Sequence, residues 1–421
     1  NSFCTLLERQ ASFFAPFAMR MLVITAVVAA ILSAATVDAS GAFPRWHQLE
    51  PLGYTFDHYV KDANRQYVKG SDEWKMREKV FNDRLADIKR HNKDASVSWK
   101  RGINQFADWT KDEFRRYNRA RPELGRESTL QRNLYEPASN PGDLPKSVDY
   151  RTRTNPPILT GIKNQGSCGS CWAHAAVETI ESFFAIRYGQ LPVLSTQQVA
   201  SCTQSEDGCG GGTYVAGWEW VQNLGGLNEE WTYPYVDFFA PQMEKKYTQT
   251  CQNISNKFPV IHNPDGSSFT FTWFPKANVS SWTLVPRNNG HAVMEALALH
   301  GPLAISVGSD QWSDYESGIL HNNYTNNVTN AEWQAINHDV QLVGYGFDMD
   351  VNQGYWIVRN SWSAGWGEAG YIRIAKNDAP QCGDTFTISC VNQSHTQQAC
   401  GPCGLLTDAQ YPKVNVSRRQ L

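Results

Sequence analysis

The residues of this chain best suited to covalent chemistry lie in the run Gln165-Gly-Ser-Cys-Gly-Ser-Cys171-Trp-Ala. Cys171 stands where a loop gives way to a helical pattern. From Trp172 to Arg187, apolar residues recur at Ala173, Ala176, Val177, Ile180, Phe183 and Phe184, which predicts a helix with one buried face. A thiol at a helix start feels the positive end of the helix dipole, which favours thiolate, the nucleophilic form. Gln165 supplies a side-chain amide close by. Cys-x-x-Cys alone also suits a redox or zinc-binding pair. Gln165 and Trp172 belong to neither, however, and no second ligand pair stands at zinc-finger spacing.

A cysteine nucleophile needs a base and a group to orient that base. Of the ten histidines, His338 has the fitting context, at the mouth of the strand-like run His338-Asp-Val-Gln-Leu-Val-Gly-Tyr-Gly. A second strand pattern, Tyr355-Trp-Ile-Val-Arg, ends in Asn360-Ser-Trp362. His174 falls three residues into the predicted helix and is expected to project away from Cys171. His291, His300 and His321 have no comparable setting.

These three segments together resemble the papain family of cysteine peptidases. The signature Cys-Gly-Ser-Cys-Trp is matched without a gap, and the histidine and asparagine segments follow in the family's order. The resemblance implies an α+β, papain-like two-domain fold: a helical left domain and a β-barrel-like right domain, with the cleft between them. It implies Cys171 as nucleophile and His338 as its proton-transfer partner. Asn360 would orient the imidazole, and Gln165 with the Cys171 backbone N–H would bind the oxyanion. In such a pair the thiol pKa falls to about 3–4. Trp362 would shield the His338–Asn360 bond. Gly211, Gly212, Tyr214, Ser306, Asn337 and Asp408 match the substrate-binding walls and floor. An inward-facing Asp408 would admit arginine or lysine at the second residue before the cut, and an outward-facing one would not. His338 follows Cys171 by 167 residues, against about 130–150 in the family. The excess is assigned to surface insertions at 233–290 and 322–330. An inactive peptide-binding homologue is the competing class, and retention of Gln165, Cys171, His338 and Asn360 argues against it.

Upstream, four organisational blocks are expected. Residues 1–18 read as an extension of doubtful status. Residues 19–39 read as a signal peptide, with an apolar run from Leu22 to Ala35 and a small-residue cleavage pattern at Val37-Asp-Ala39. Residues 40–143 read as a prodomain and 144–421 as the peptidase domain. Within the prodomain, Glu73, Arg77, Phe81, Ile88, His91 and Asn92 predict one long helix across Ser71–Asn92. They resemble a propeptide motif of cathepsin L-like zymogens, with Arg84 where that motif has asparagine. Gly102, Asn104, Phe106 and Asp108 resemble the second such motif. The resemblance implies a helical, inhibitory N-terminal prodomain.

Residues 40–143 hold 20 Lys and Arg against 16 Asp and Glu, whereas residues 144–421 hold 16 against 23. Opposite net charges favour docking of the two at neutral pH and weaker docking in acid. A total near −3 with dispersed basic residues gives no nucleic-acid footprint. No apolar run beyond the leader is long enough to span a membrane.

Ten cysteines fit an oxidising compartment. Cys4 lies in the doubtful extension, and Cys171 must stay reduced. The resemblance pairs Cys168 with Cys209 and Cys202 with Cys251. Cys382, Cys390, Cys400 and Cys403 allow three pairings, read as two local bridges. Cys400-Gly-Pro-Cys403 also spells a redox motif, but too little chain follows it to build the required unit. Six Asn-x-Ser/Thr sites, at Asn253, Asn278, Asn323, Asn327, Asn392 and Asn415, read as glycosylation sites in polar loops of a protein of the secretory path. The overall expectation is a secreted or lysosomal endopeptidase, made as a zymogen and activated in acid. It would act on proteins and peptides, be inhibited by its own propeptide and by cystatin-type inhibitors, function as a monomer, and need no metal or cofactor.

Overall fold

The computed structural model describes residues 43–121, 132–138, 144–237, 248–251, 261–262, 268–269, 276–321, 336–377, 382–387 and 395–417. The leader, Cys4, Cys390 and four of the six glycosylation sites lie outside these residues. So does most of the two expected insertions.

The N-terminal part is helical, and its sequence says why. Ser71 caps the helix Asp72–Lys93 by accepting from the Trp74 N–H at 3.1 Å. Asp72 and Glu73 occupy its first turn, and Arg90, His91 and Lys93 its last, as the helix dipole favours. Its buried residues Trp74, Phe81, Leu85 and Ile88 share one face. They join Trp46, Tyr54, Phe56 and Tyr59 in a core of their own. Thr110 and Glu113 form a reciprocal capping box at the helix Lys111–Tyr117.

A second core surrounds the helix Cys171–Tyr188. The helices Thr196–Cys202 and Tyr214–Leu224 pack on it, and the strands Ala277–Leu284 and Ala409–Val416 close the other side. The expected single buried face is therefore an underestimate. The helix is buried all round over its first turns, Glu178 and Glu181 included. Those carboxylates are matched inside: Lys163 lies 2.9 Å from Glu181 and Arg359 lies 3.4 Å from Glu178. Gly189 ends the helix with φ at +71°, a conformation that costs glycine little.

The third core lies in a mixed sheet. Strands run in the order Trp99–Arg101, Tyr315–Leu320, Tyr371–Lys376, Gln353–Arg359, His338–Asp348, Leu303–Val307, Ala409–Val416, Ala277–Leu284 and Arg132–Leu134. Val148–Asp149 pairs with His338–Asp348 off this path. The sheet is open, so the barrel-like expectation is met only in strand content and not in closure. Both ends of the path are supplied by residues preceding 144: Trp99–Arg101 pairs antiparallel with Tyr315–Leu320, and Arg132–Leu134 pairs parallel with Ala277–Leu284. The N-terminal part thus covers the sheet edges whose backbone groups would otherwise stay unpaired.

Asn278 and Asn415 depart from the expected loops. They sit opposite each other on paired antiparallel strands. Among the described residues, no helix is long and apolar enough to cross a membrane.

Candidate active site

Cys171 is the first residue of its helix, and its side chain is fully buried. A backbone hydrogen bond from Asp339, the residue after His338, reaches its sulfur. His338 begins the long central strand, and Asn360 follows the end of the neighbouring one. Adjacency of those two strands brings the two side chains together. His338 Nε2–H donates to Asn360 Oδ1 at 2.8 Å, and the Ser361 N–H donates to the same oxygen at 2.8 Å. His338 Nδ1 is buried with no hydrogen-bond partner. Trp362 stacks on the imidazole with ring centroids 4.7 Å apart and planes 27° apart, and Trp312 meets it edge-on at 5.9 Å.

Gln165 completes the cluster. Its Oε1 accepts from Ser361 Oγ at 2.8 Å, which fixes the amide, and its Nε2 donates to the carbonyls of Cys168 at 3.0 Å and Tyr117 at 3.5 Å. His174 is turned elsewhere. It contacts the Ser170 carbonyl at 3.0 Å and packs edge-on against Tyr235.

Three disulfides stand among the described residues: Cys168–Cys209, Cys202–Cys251 and Cys382–Cys400. The first ties up Cys168, so Cys168 and Cys171 are not a redox or zinc pair. Cys403 is buried, and its sulfur accepts from Trp312 Nε1 at 3.4 Å.

The segment before residue 122 lies across this cluster. Phe106, Phe114 and Tyr117 pack on Trp362 with centroids 5.2–5.7 Å away. Gln105 donates to the Trp362 carbonyl at 2.9 Å. Beyond Tyr117 the chain runs between the two walls of the cleft. The Ala120 N–H donates to the Asn337 carbonyl at 2.9 Å, the Arg121 N–H to the Gly212 carbonyl at 2.8 Å, and the Gly212 N–H to the Arg119 carbonyl at 3.2 Å. Gly211 has φ at +116°, and a Cβ there would run into the Arg119 carbonyl. This approach is open only to glycine.

Residues 144–392 match the family described as papain family cysteine protease. The chain belongs to that family. Residues 56–114 match the cathepsin propeptide inhibitor domain, so this papain-family protease is a zymogen that carries its own inhibitor. It is 32% identical over 363 residues to the senescence-specific cysteine protease SAG12 of Arabidopsis thaliana, with 84% of this chain and 85% of the relative covered. Against cathepsin L of Sarcophaga peregrina it is 30% identical over 336 residues, covering 77% and 89%. The solved digestive procathepsin L 3 of Tenebrio molitor larval midgut superposes with a TM-score of 0.62 at 26% identity, covering 85% of this chain and 97% of that one.

In this papain-family zymogen the covered cluster is electrically quiet. Burial, with the nearby Asp339 charge, pushes the Cys171 thiol up to about 12, although backbone hydrogen bonds pull the other way. Burial lowers His338 to about 4, against the hydrogen bond to Asn360. The pair is thus thiol and neutral imidazole here. The low thiol pKa implied by the sequence resemblance belongs to a solvated cleft. The overlying segment removes the water and the dielectric that charge separation needs.

Of the remaining expected substrate residues, Tyr214, Ser306 and Asp408 form one buried group with Asp339. Tyr214 Oη donates to Asp408 Oδ2 at 2.8 Å, and Gln410 Nε2 donates to Asp408 Oδ1 at 2.9 Å. Ser306 Oγ lies 2.7 Å from Asp339 Oδ1 and 3.4 Å from Asp408 Oδ2. Asp408 is 2% exposed and faces inward. Asn337 turns its side chain to Ser309 and Asp310, and only its carbonyl meets the overlying segment. Sequence reasoning missed Asp339, Ser361 and Trp312. Adjacency to His338 and Asn360 was the one available signal for the first two. It also undervalued Arg84, whose guanidinium joins Ser313 Oγ at 2.7 Å to the Trp109 carbonyl at 2.9 Å, across the junction of the N-terminal part with the protease.

Proposed function

We propose that the chain is an endopeptidase of the secretory path, secreted or held in a lysosome-like compartment, with Cys171, His338, Asn360 and Gln165 as its catalytic residues. The observation that carries this reading is the His338 ring, held through Nε2 by Asn360 with its Nδ1 left without a partner, while the backbone of the next residue, Asp339, reaches the Cys171 sulfur. With Nε2 protonated, Nδ1 is the basic atom. It takes the Cys171 thiol proton, and the thiolate attacks the peptide carbonyl carbon. The oxyanion is held by Gln165 Nε2 and the Cys171 N–H, at the place where Gln165 meets the Tyr117 carbonyl in the zymogen. The imidazolium then protonates the leaving amine. The same nitrogen takes a proton from water as the water attacks the thioester, which frees the acid and restores the thiol.

Removal of residues 40–143, favoured in acid, opens the cleft. The opposite net charges on either side of residue 144 support docking that weakens as carboxylates protonate. Equal inhibition by the isolated prosegment at pH 4 and pH 7 would count against this. Monomeric action, sensitivity to cystatin-type inhibitors and independence of metals and cofactors belong to the same reading.

The test is labelling with an epoxide that alkylates papain-like cysteines, after incubation at pH 4.5 or pH 7.5. Stoichiometric modification of Cys171 only after acid treatment and loss of the prosegment supports the reading. A fully processed form that takes no label at Cys171 sinks it in favour of a peptide-binding homologue.

A further inference from the structure

Ser170 stands just before the Cys171 helix, where a serine side chain ordinarily accepts from an N–H of the first turn. It makes no such bond. Its Oγ lies 2.6 Å from Tyr235 Oη instead, and Tyr235 Oη lies 3.0 Å from the Gln165 carbonyl oxygen. His174 Nδ1 closes the group, 3.0 Å from the Ser170 carbonyl oxygen and 3.4 Å from Ser170 Oγ.

Hydrogen counting gives these contacts one direction. A carbonyl oxygen only accepts, so the Tyr235 hydrogen goes to Gln165. The Ser170 hydroxyl then donates to Tyr235 Oη. The Ser170 carbonyl takes the hydrogen on His174 Nδ1, which fixes the tautomer of that ring. Burial lowers His174 to about 3 and raises the Tyr235 hydroxyl well above its ordinary value, so the ring stays neutral and the phenol stays a donor. Tyr235 is itself held in place. Its N–H donates to Glu230 Oε1 at 2.8 Å, and Gln197 Oε1 accepts from the Val236 N–H at 2.8 Å and the Asp237 N–H at 3.0 Å. Its ring meets His174 edge-on with centroids 5.0 Å apart. The stretch 233–290, read from the sequence as a surface insertion, thus begins with a residue built into the loop that carries Gln165 and Cys171.

We propose that Tyr235 is a positioning residue for the oxyanion site: its hydroxyl fixes the Gln165 carbonyl and holds the Ser170 hydroxyl off the helix start, leaving the first helical N–H groups to the sulfur and the oxyanion. This rests on the peptidase reading above and adds a residue to it. Gln165 is then tied through its backbone and its side chain, since its N–H donates to the Ser361 carbonyl at 2.9 Å and its Oε1 accepts from Ser361 Oγ. The Trp172 N–H is already turned to the Cys171 sulfur. A serine hydroxyl folded onto that first turn would compete for the same donors and set an oxygen lone pair where negative charge develops.

The experiment uses the acid-processed full chain, with active enzyme counted by epoxide labelling at Cys171. One peptide substrate gives kcat and KM. Two inhibitors are compared: a peptide aldehyde, which adds the Cys171 thiol to form a tetrahedral adduct, and the matching peptide alcohol, which cannot. Tyr235→Phe keeps the ring and removes the hydroxyl. In it kcat is expected to fall about tenfold with KM unchanged, and aldehyde binding to weaken by the same factor while alcohol binding holds, as an unpaired buried carbonyl implies. Ser170→Ala should show the same split at a smaller factor. The double variant should lose no more than Tyr235→Phe alone, because the two hydroxyls act in one chain. Unchanged kcat and aldehyde binding in Tyr235→Phe overturn the proposal. So does a loss shared by KM, aldehyde and alcohol, which is what a merely structural part of the cleft would give, and so do additive losses in the double variant. If Tyr235→Phe takes no label, Ser170→Ala decides by the same split. Natural protein that takes label but cleaves no peptide overturns the peptidase reading, and this proposal with it. Cleavage by the natural protein with no split in the variants overturns this proposal alone.

Discussion

Ser361 donates its hydroxyl hydrogen to Gln165 Oε1 at 2.8 Å, across 196 residues of chain. The bond leaves the Gln165 NH2 group as the end of the amide that faces the overlying Tyr117 carbonyl. Asn360 and Ser361, adjacent in sequence, thereby orient two side chains: one holds the His338 imidazole and the other the Gln165 amide, the proposed oxyanion donor.

Gln165→Ala should lower kcat by the equivalent of about 2.7–4 kcal/mol, the usual cost of one oxyanion donor. Ser361→Ala removes only the bond that orients that donor and should cost about 1 kcal/mol. Both losses should fall on kcat rather than KM in steady-state kinetics on one peptide. A Ser361→Ala enzyme with unchanged kcat would show that the amide is held by packing alone. Cys171→Ala should leave essentially no activity.

Processing should change the reactivity of the Cys171 thiol. A group pushed up to about 12 by burial is a neutral thiol throughout the neutral range. Alkylation of Cys171 in the intact zymogen by a small haloacetamide should therefore be slow and flat from pH 5 to pH 8. Removal of the prosegment should speed it by orders of magnitude and give it a pH profile. Equal rates for the two forms would mean that the segment does not shield the sulfur.

Asp108 is the anchor of the prosegment. It is fully buried and accepts from Arg65 Nε at 2.9 Å, Tyr59 Oη at 3.0 Å and Tyr67 Oη at 2.8 Å. Asp108→Ala leaves those donors without an acceptor and should cost the prosegment fold about 3–5 kcal/mol. In a Cys171→Ala background, which prevents self-processing, protease susceptibility of residues 43–121 should rise sharply. Undiminished resistance would rule out this anchor.

Acid should act through Glu113. Burial disfavours its charge, but hydrogen bonds from Arg77 and Thr110 outweigh that and hold its carboxyl below the usual range. Arg77 reaches both oxygens at 2.7 Å. A carboxyl depressed in the folded state contributes stability above its unfolded value of about 4.3, and that stability is lost as pH falls through the folded value. Prosegment unfolding followed by tryptophan fluorescence should therefore steepen below about pH 4. In Glu113→Gln the prosegment should be weaker at neutral pH and lose this steepening. An identical acid profile in that variant would assign the acid step to other groups.

Much of the framework was legible because it is local. The Ser71 cap and the spacing of Phe81 and Ile88 mark a helix that any chain with those residues would favour. The strands carrying His338 and Asn360 announce themselves by composition, and the resemblance of their flanks named the family before any contact was known. The residues that tune the site were not legible in the same way. Arg84 read as a departure from a motif, yet it binds Ser313, 229 residues away. Asp408 read as facing either solvent or pocket, and three partners from separate strands and a helix turn it inward.

The sequence by itself determined the Cys171 helix, the His338 and Asn360 segments that follow it and the helix of the propeptide domain upstream, because periodicity and short motifs act through neighbours in the chain. Only the tertiary structure decided that burial under Tyr117 and the Arg119 backbone pushes the Cys171 thiol up, that the sheet stays open with its edges taken by residues preceding 144, and that Asp408 turns inward. Each of these depends on which groups from distant parts of the chain exclude water and share hydrogen bonds at one point, and desolvation and donor count are properties of that assembled environment.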